Sequence, residues 1–205
     1  MSTSQPPSLT LASTSRWRAA LLRRLRLDFA IQSPQVDECL DPSSTPAENA
    51  ERLATEKARS IDVTGGLVIG SDQVAWCDGR YLGKPGTAEK AVDQLRYCAG
   101  KTMDFHTGLC LWIPGKNECV TRVVPYRVHL RELSTAEIKA YIAADSPLDC
   151  AGSFRWESLG IALFRRLEGD DPTALEGLPL ITLCQLLRGQ GLSIPPRAQP
   201  LQHGA

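Results

Sequence analysis

The segment from Leu67 to Pro85, LVIGSDQVAWCDGRYLGKP, predicts a strand followed by a tight hairpin. A run rich in β-branched apolar residues leads to Asp72, and Asp78-Gly79 is a strong hairpin signal. A strand that ends at an acidic residue places its carboxylate at the rim of a sheet, where a metal ion or a water can reach it. With Lys84 after the hairpin, the segment predicts a carboxylate and an ammonium group arranged as they would be beside a polyphosphate. An Asp that ends a strand only by turn chemistry is the alternative.

Strand and helix signals alternate along the chain without internal repeats. Further apolar runs predict strands over 9–12, 28–33, 101–113, 118–130 and 161–167. Helix starts are predicted at the hydroxyl-rich turn 13–15, at Thr45, Thr87 and Ser134, and near Pro179. Thr45 and Ser134 are each followed three residues later by a glutamate, which completes a capping box. The alternation predicts the α/β class, with a mixed twisted sheet and flanking helices.

The first predicted helix begins at a turn that can bind an anion. Ser13 and Ser15 can cap its unpaired amides, and Arg18 lies in its first turn. Free amides, the helix dipole and a guanidinium group together predict a phosphate site without a glycine-rich loop. An ordinary capped helix with a basic face is one alternative. A transit peptide is another, because the first 27 residues are rich in Ser and Arg and contain no acid. A core strand at 9–12 argues against it.

Composition narrows the classes of function. With 205 residues, 42% of them apolar, the chain can bury a proper core. Lys plus Arg equal Asp plus Glu at 23 each, so no net field attracts nucleic acid or an anionic membrane. No apolar run approaches the roughly 20 residues that span a bilayer, so we expect a cytoplasmic protein that binds a small molecule.

The cysteines do not indicate a disulfide framework or a zinc site. There are seven, without a C-x-x-C pair. A nucleophilic thiol needs an imidazole nearby, and the chain has only His106, His129 and His203. Thiol catalysis is therefore not expected.

Several short motifs follow one another between Leu9 and about Arg188. They are LTLASTSRWRAALLRRL, the Val36-Asp37-Glu38 turn, Leu53 to Ala58, IGSDQV, LGKP, and CAGSF followed by EGLPL. In order and spacing they resemble the Maf family of nucleoside triphosphate pyrophosphatases. The resemblance implies an elongated, two-lobed fold of the inosine-triphosphatase type with a central cleft. It also implies hydrolysis of a nucleoside triphosphate to the monophosphate and pyrophosphate. We expect one catalytic domain over 9–191, a flexible segment 1–8 and a disordered tail 192–205.

The resemblance assigns the chemistry to two acidic residues. Asp72 is the expected general base and Glu38 the second acid, and both are expected to hold Mg²⁺ or Mn²⁺. Which of the two is the base stays open. The expected phosphate ligands are Ser13, Ser15, Arg18, Lys57 and Lys84.

Three further residues, Trp17, Gln73 and Glu157, resemble the subgroup that acts on 7-methyl-GTP. Methylation at N7 makes guanine a cation, and an indole that stacks on it contributes roughly 0.5 to 2 kcal/mol. A carboxylate can accept from the guanine N1–H and amine together, and it favours the charged base. Core packing of Trp17 and a solvated Glu157 are the alternatives. Two residues depart from the family pattern, Arg16 where proline is usual and the bulky Trp156.

Two other functions fit parts of the pattern. A nucleotide-binding regulator of cell division would keep Arg18, Lys57 and Lys84 but would not need Asp72 and Glu38, so the two acids favour the enzyme. A pyrophosphatase for dTTP, UTP or unmodified GTP would keep the chemistry and change the base. The expected partner is the nucleotide, with no nucleic acid and no membrane. A homodimer is compatible with the chain, although no interface pattern is visible.

Overall fold

The computed structural model describes residues 7–196, and within them it contains seven strands and five α-helices. The strands are β1 (Leu9–Ala12), β2 (Ala30–Gln32), β3 (Leu67–Cys77), β4 (Arg80–Leu82), β5 (Thr102–Ile113), β6 (Glu118–Leu130) and β7 (Phe164–Glu168). The helices are α1 (Arg16–Arg23), α2 (Pro46–Arg59), α3 (Ala88–Cys98), α4 (Thr135–Asp145) and α5 (Leu180–Gly189).

All seven strands belong to one mixed sheet. Its order is β2-β1-β3-β5-β6-β7, with β1 parallel to β2 and β3 and the later pairs antiparallel. The short β4 folds back on the C-terminal part of β3 through the turn at Asp78 and Gly79, both of which have positive φ. The predicted α/β class with a mixed sheet is therefore confirmed.

The helices begin at the predicted capping residues. Thr45 and Ser134 close capping boxes with the side chains of Glu48 and Glu137. Thr87 caps α3 through the amide of Lys90. These local hydrogen bonds satisfy backbone groups that the first helical turn leaves unpaired, so the starts are encoded within four residues.

Two large hydrophobic clusters divide the sheet into two lobes. The first cluster packs β1, α1 and α5 against the N-terminal half of β3, around residues such as Leu11 and Ile69. The second packs β4, α3 and α4 against the other half, around Phe105 and Ile138. Because β3 and β5 pass through both clusters, the middle of β3 lies at the boundary between the lobes. The expected two-lobed arrangement is therefore confirmed.

Helix α2 lies very close to the sheet because two glycines allow it. A Cβ at Gly70 of β3 would overlap the Ala54 carbonyl oxygen, and one at Gly108 of β5 would overlap that of Ala50. Only a residue without a side chain permits this approach. The close packing brings Lys57 of α2 beside β3.

Two expected strand boundaries are wrong. β3 continues to Cys77, so Asp72 lies in the middle of a strand and not at its end. The strand expected over 161–167 begins at Phe164, because Leu159–Leu163 forms 3₁₀ turns. Apolar residues continue past both boundaries in the sequence, and a short apolar run does not distinguish strand from turn by periodicity.

The C-terminal end packs further than expected. Leu192 is buried in the first cluster and Ile194 packs against it, so packing continues past the boundary expected at residue 191. Residues 1–6 and 197–205, which hold most of the expected flexible segments, lie outside the described residues. Between residues 7 and 196, no helix is both long and apolar enough to cross a membrane.

Candidate active site

A notch in one edge of β3 explains how Asp72 is accessible in mid-strand. On this edge β1 pairs with residues 67–70 and β4 pairs with residues 75–77. Within the described chain, residues 71–74 have no strand partner there, whereas β5 runs along the whole opposite edge. Neighbouring strands that stop on both sides leave a crevice, which is where sheets of this class bind ligands.

A cavity of about 630 Å³, here called the main cavity, opens at this notch. Nine of the ten predicted site residues line it: Ser13, Ser15, Trp17, Arg18, Glu38, Lys57, Asp72, Gln73 and Lys84. The tenth, Glu157, lines an adjoining side pocket of about 140 Å³. Six residues line both spaces: Ser15, Trp17, Gln73, Lys84, Asp149 and Ala151. The structure therefore brings all ten predicted residues to one cavity and its side pocket.

Lys57 joins the two predicted acids. Its ammonium nitrogen lies 2.6 Å from Asp72 Oδ1 and 2.7 Å from Glu38 Oε1. Lys57 and Asp72 are buried, whereas the Glu38 side chain is 64% exposed. The hydrogen bond from Lys57 is the main cause that lowers the pKa of Glu38 from its ordinary value, so Glu38 stays ionised well into acidic solution. These contacts add to the expected role of Lys57, because it orients both carboxylates.

The two carboxylates determine whether a divalent cation fits. Across residues 7–196, no group of three or more His, Cys, Asp or Glu side chains could hold a metal. Mg²⁺ is commonly bound by only one or two carboxylates when substrate phosphates supply further oxygens. Asp72 and Glu38 each have one oxygen that does not contact Lys57. The pair therefore fits a cation that binds together with a nucleotide.

The start of α1 supplies hydroxyl groups to the main cavity. Ser15 is the N-cap, and its Oγ accepts from the Arg18 amide. Ser13 Oγ accepts from the Ser15 amide at 3.1 Å. Both hydroxyls are thus held as acceptors by the backbone, and their protons can be donated to an anion.

Two cationic side chains flank these hydroxyls. Arg18 Nε donates to the Gly177 carbonyl oxygen at 2.8 Å. Burial lowers the pKa of Arg18, and the charges of Asp72 and Glu38 oppose that shift. Lys84 is exposed and lines both the main cavity and the side pocket. A half-buried guanidinium and an exposed ammonium group are well placed to contact a polyphosphate.

Gln73 offers the ligand an acceptor and no free donor. Its Nε2 donates to Thr107 Oγ1 at 3.2 Å and to the carbonyl oxygens of Ala174 and Leu175 at 2.8 and 3.2 Å. Backbone carbonyls can only accept, so the orientation of the amide is fixed. Of the two polar atoms of the Gln73 side chain, Oε1 is therefore the one left for a ligand.

Trp17 already makes cation–π contacts in the free protein. The guanidinium carbons of Arg16 and Arg155 lie 4.6 and 5.6 Å from its ring centroid. Asp149, which the sequence analysis missed, binds both arginines, at 3.5 and 2.8 Å. No local motif marks Asp149, because its arginine partners come from α1 and from the segment after α4.

Glu176 is a second residue that the sequence analysis missed. It lines the side pocket together with Glu157. It lies in the EGLPL segment that carries the family resemblance, but the resemblance assigns no role to its side chain. Only the fold, which packs this segment against α1 and the middle of β3, places its carboxylate at the pocket.

Comparisons of the sequence with known protein sequences agree with the resemblance. A 7-methyl-GTP pyrophosphatase of Pseudomonas syringae pv. tomato (strain ATCC BAA-871 / DC3000) is 49% identical over 191 residues, covering 92% of this chain and 100% of that protein. A protein of the same name from Pseudomonas syringae pv. syringae (strain B728a) is 48% identical with the same coverage. Among solved structures, a HAM1 protein from Coxiella burnetii has a TM-score of 0.48 at 17% identity, covering 89% of this chain and 99% of that chain. Because the family model described as Maf-like protein matches residues 8–190, the chain belongs to the Maf family.

Proposed function

We propose that this protein is a nucleoside triphosphate pyrophosphatase that hydrolyses 7-methyl-GTP to 7-methyl-GMP and pyrophosphate, a house-cleaning reaction on modified nucleotides. One observation carries the proposal. The buried carboxylate of Asp72, oriented by Lys57, faces a cavity that has phosphate-binding groups and opens into a side pocket lined by Trp17 and Glu157. The names of the two Pseudomonas relatives support the same reaction and substrate.

Asp72 is the proposed general base. A water attacks the α-phosphorus and gives its proton to the Asp72 carboxylate, whose Oδ1 is held by Lys57. The bond from the α-phosphorus to the bridging oxygen breaks, and pyrophosphate leaves with that oxygen. A positioned base contributes about 10²- to 10⁴-fold to such a step. Glu38, which shares Lys57 with Asp72, keeps the ammonium group in place.

The negative charge of the triphosphate needs compensation during this reaction. Arg18 and Lys84 would pair with phosphate oxygens, and the Ser13 and Ser15 hydroxyls would donate to them. Asp72 and Glu38 would hold Mg²⁺ or Mn²⁺, which would neutralise phosphate charge and make a water easier to deprotonate.

The side pocket would recognise the nucleobase. Trp17 would stack on the cationic ring system, with Arg16 and Arg155 moving off its face as the nucleotide enters. Glu157 would accept from the guanine N1–H and amine, and Gln73 would accept through Oε1. Unmethylated guanine can make the same hydrogen bonds, but it has no positive charge for Trp17 and Glu157 to attract.

The proposal also covers the localisation, partners and oligomeric state of the protein. We propose that the enzyme works in the cytoplasm. Equal numbers of acidic and basic residues support a nucleotide, and not a nucleic acid or a membrane, as its partner. Light scattering at several protein concentrations would test whether the protein forms a homodimer.

A substrate panel tests the proposed function. The purified protein is incubated with Mg²⁺ or Mn²⁺ and, separately, 7-methyl-GTP, GTP, UTP and dTTP, and the products are resolved by ion exchange. Asp72→Asn is the test variant, and Asp62→Asn, at an exposed loop position, is the matched control. We expect 7-methyl-GMP and pyrophosphate from wild type and from the Asp62 variant, and a loss of about 10²-fold or more in the Asp72 variant.

Other outcomes would point elsewhere. Turnover of UTP, dTTP or GTP in place of 7-methyl-GTP would support the pyrophosphatase reaction but contradict 7-methylguanine as the preferred nucleobase. Binding of nucleotides without turnover of any would reject the enzyme in favour of a regulator. Products other than a monophosphate and pyrophosphate would reject attack at the α-phosphorus.

A further inference from the structure

The side pocket holds a carboxylate, Glu176, that the proposed reaction does not use. Its side chain is only 10% exposed, although glutamate is usually a surface residue. It lines the side pocket together with Glu157 and Trp17. Burying a carboxylate costs free energy unless a partner or a ligand compensates it.

Among the described residues, one basic side chain, that of Arg24, pairs with Glu176. Arg24 Nη2 lies 3.1 Å from Glu176 Oε2, but the arginine side chain is 55% exposed and is not among the residues that line the pocket. Burial raises the pKa of Glu176, the charges of Glu157 and Asp171 act in the same direction, and Arg24 opposes them. An ion pair at the surface is screened by water and recovers little of the cost of burial.

Other charged groups also lie around the side pocket. Asp149 pairs with Arg16 and Arg155, which leaves one guanidinium charge in excess, and Lys84 lies where the side pocket joins the main cavity. Four aromatic side chains, those of Trp17, Phe105, Phe154 and Trp156, form much of the remaining lining. Aromatic walls with two carboxylates form an environment suited to a flat cation.

We propose that Glu176 is a second specificity residue, which acts with Glu157 to select a base that carries a delocalised positive charge over the neutral form of the same base. The inference rests on the proposed function, because 7-methylguanine is that cationic base. Glu157 is exposed and can hydrogen bond to the edge of the base. Glu176 is shielded from solvent, so its charge is less screened and acts on the base over a longer distance.

The main test compares 7-methyl-GTP with GTP in Glu176→Gln. This change keeps the shape of the side chain and one acceptor oxygen, and it removes the charge. We expect the ratio of kcat/KM for 7-methyl-GTP to kcat/KM for GTP to fall about tenfold, mainly through KM for 7-methyl-GTP. Glu118→Gln, which removes an exposed acid at the start of β6, serves as the control and should keep the wild-type ratio.

Arg24→Gln distinguishes a specificity residue from a structural anchor. If Glu176 only anchors the end of α1 through its ion pair with Arg24, Glu176→Gln and Arg24→Gln should change kcat/KM equally for 7-methyl-GTP and for GTP. If Glu176 attracts the base, removal of its partner leaves the carboxylate charge more available, and the ratio in Arg24→Gln should equal or exceed that of wild type. A lowered ratio in Arg24→Gln that matches the ratio in Glu176→Gln would overturn the proposal.

Binding of nucleosides separates this inference from the proposed reaction. Quenching of tryptophan fluorescence by 7-methylguanosine and by guanosine needs no triphosphate and no turnover. We expect Glu176→Gln to weaken binding of 7-methylguanosine about tenfold and to leave that of guanosine nearly unchanged. Equal effects on both nucleosides, or no preference in wild type, would overturn the role of Glu176. Absence of 7-methyl-GTP hydrolysis with this nucleoside preference intact would overturn only the proposed function.

Discussion

The ammonium group of Lys57 lies 2.6 Å from Asp72 Oδ1, and both residues are buried. The contact joins α2 to the middle of β3, at the notch where β1 and β4 both stop. A buried charge is tolerated only with a partner, so each residue depends on the other. The same contact that stabilises the packing of α2 also sets the orientation of the proposed catalytic carboxylate.

Removal of Lys57 should therefore affect both stability and activity. Lys57→Met leaves Asp72 without its buried partner, and we expect the free energy of unfolding to fall by about 3 to 5 kcal/mol. Urea unfolding measures this change, and 7-methyl-GTP turnover should be strongly reduced in the same sample. The double variant Lys57→Met with Asp72→Asn removes both charges, so it should recover much of the stability but none of the activity. A single variant as stable as wild type would show that the pair is not coupled.

The close approach of α2 to the sheet gives a second prediction. Gly108→Ala forces a Cβ against the Ala50 carbonyl oxygen, so α2 must move away from β5. We expect a loss of about 1 to 3 kcal/mol in urea unfolding and a reduced kcat, because Lys57 moves with the helix. Gly115→Ala is the matched control, since nothing lies near a Cβ at that turn. Equal behaviour of the two variants would rule out close packing at Gly108 as the cause.

The sequence predicts the parts of this molecule that depend on neighbouring residues. The capping box of Thr45 and Glu48 and the hairpin at Asp78-Gly79 require contacts within four residues, and both form as predicted. The accessibility of Asp72 does not depend on the end of its own strand. It depends on where β1 and β4 stop, which only the assembled sheet determines.

The residues of the candidate site also divide into those that the local sequence predicts and those that only the assembled fold places. Ser15 and Arg18 were predictable because they begin one helix, and Asp72 because it follows an apolar run. Glu176 was not, because its environment is made by α1 and by the loop that carries Glu157. A charge that is unremarkable in the sequence becomes informative only when the fold buries it.

Trp17 gives a third prediction, on the choice of base. Trp17→Leu keeps an apolar side chain but removes the π-face, so stacking on a cationic base is lost. We expect the preference for 7-methyl-GTP over GTP, measured as the ratio of kcat/KM values, to fall about 2- to 30-fold. Because the change does not touch Asp72 or Lys57, kcat for GTP should stay near its wild-type value. A parallel fall for both substrates would instead indicate that Trp17 packs the start of α1.

Glu176 gives a prediction about the pH dependence of stability. Burial raises its pKa in the folded state, with Glu157 and Asp171 acting in the same direction and Arg24 opposing. The stabilising contribution of its protonated form is present below the ordinary pKa of glutamate, about 4.3, and is lost as pH rises through the folded value. At pH 7 the charged side chain therefore costs stability, and Glu176→Gln should have a Tm equal to or above that of wild type. The difference should shrink as pH falls toward 4 in a thermal unfolding series, whereas Glu118→Gln should show no such trend. A Glu176→Gln protein that is less stable than wild type at pH 7 would identify the ion pair with Arg24 as the main role of this carboxylate.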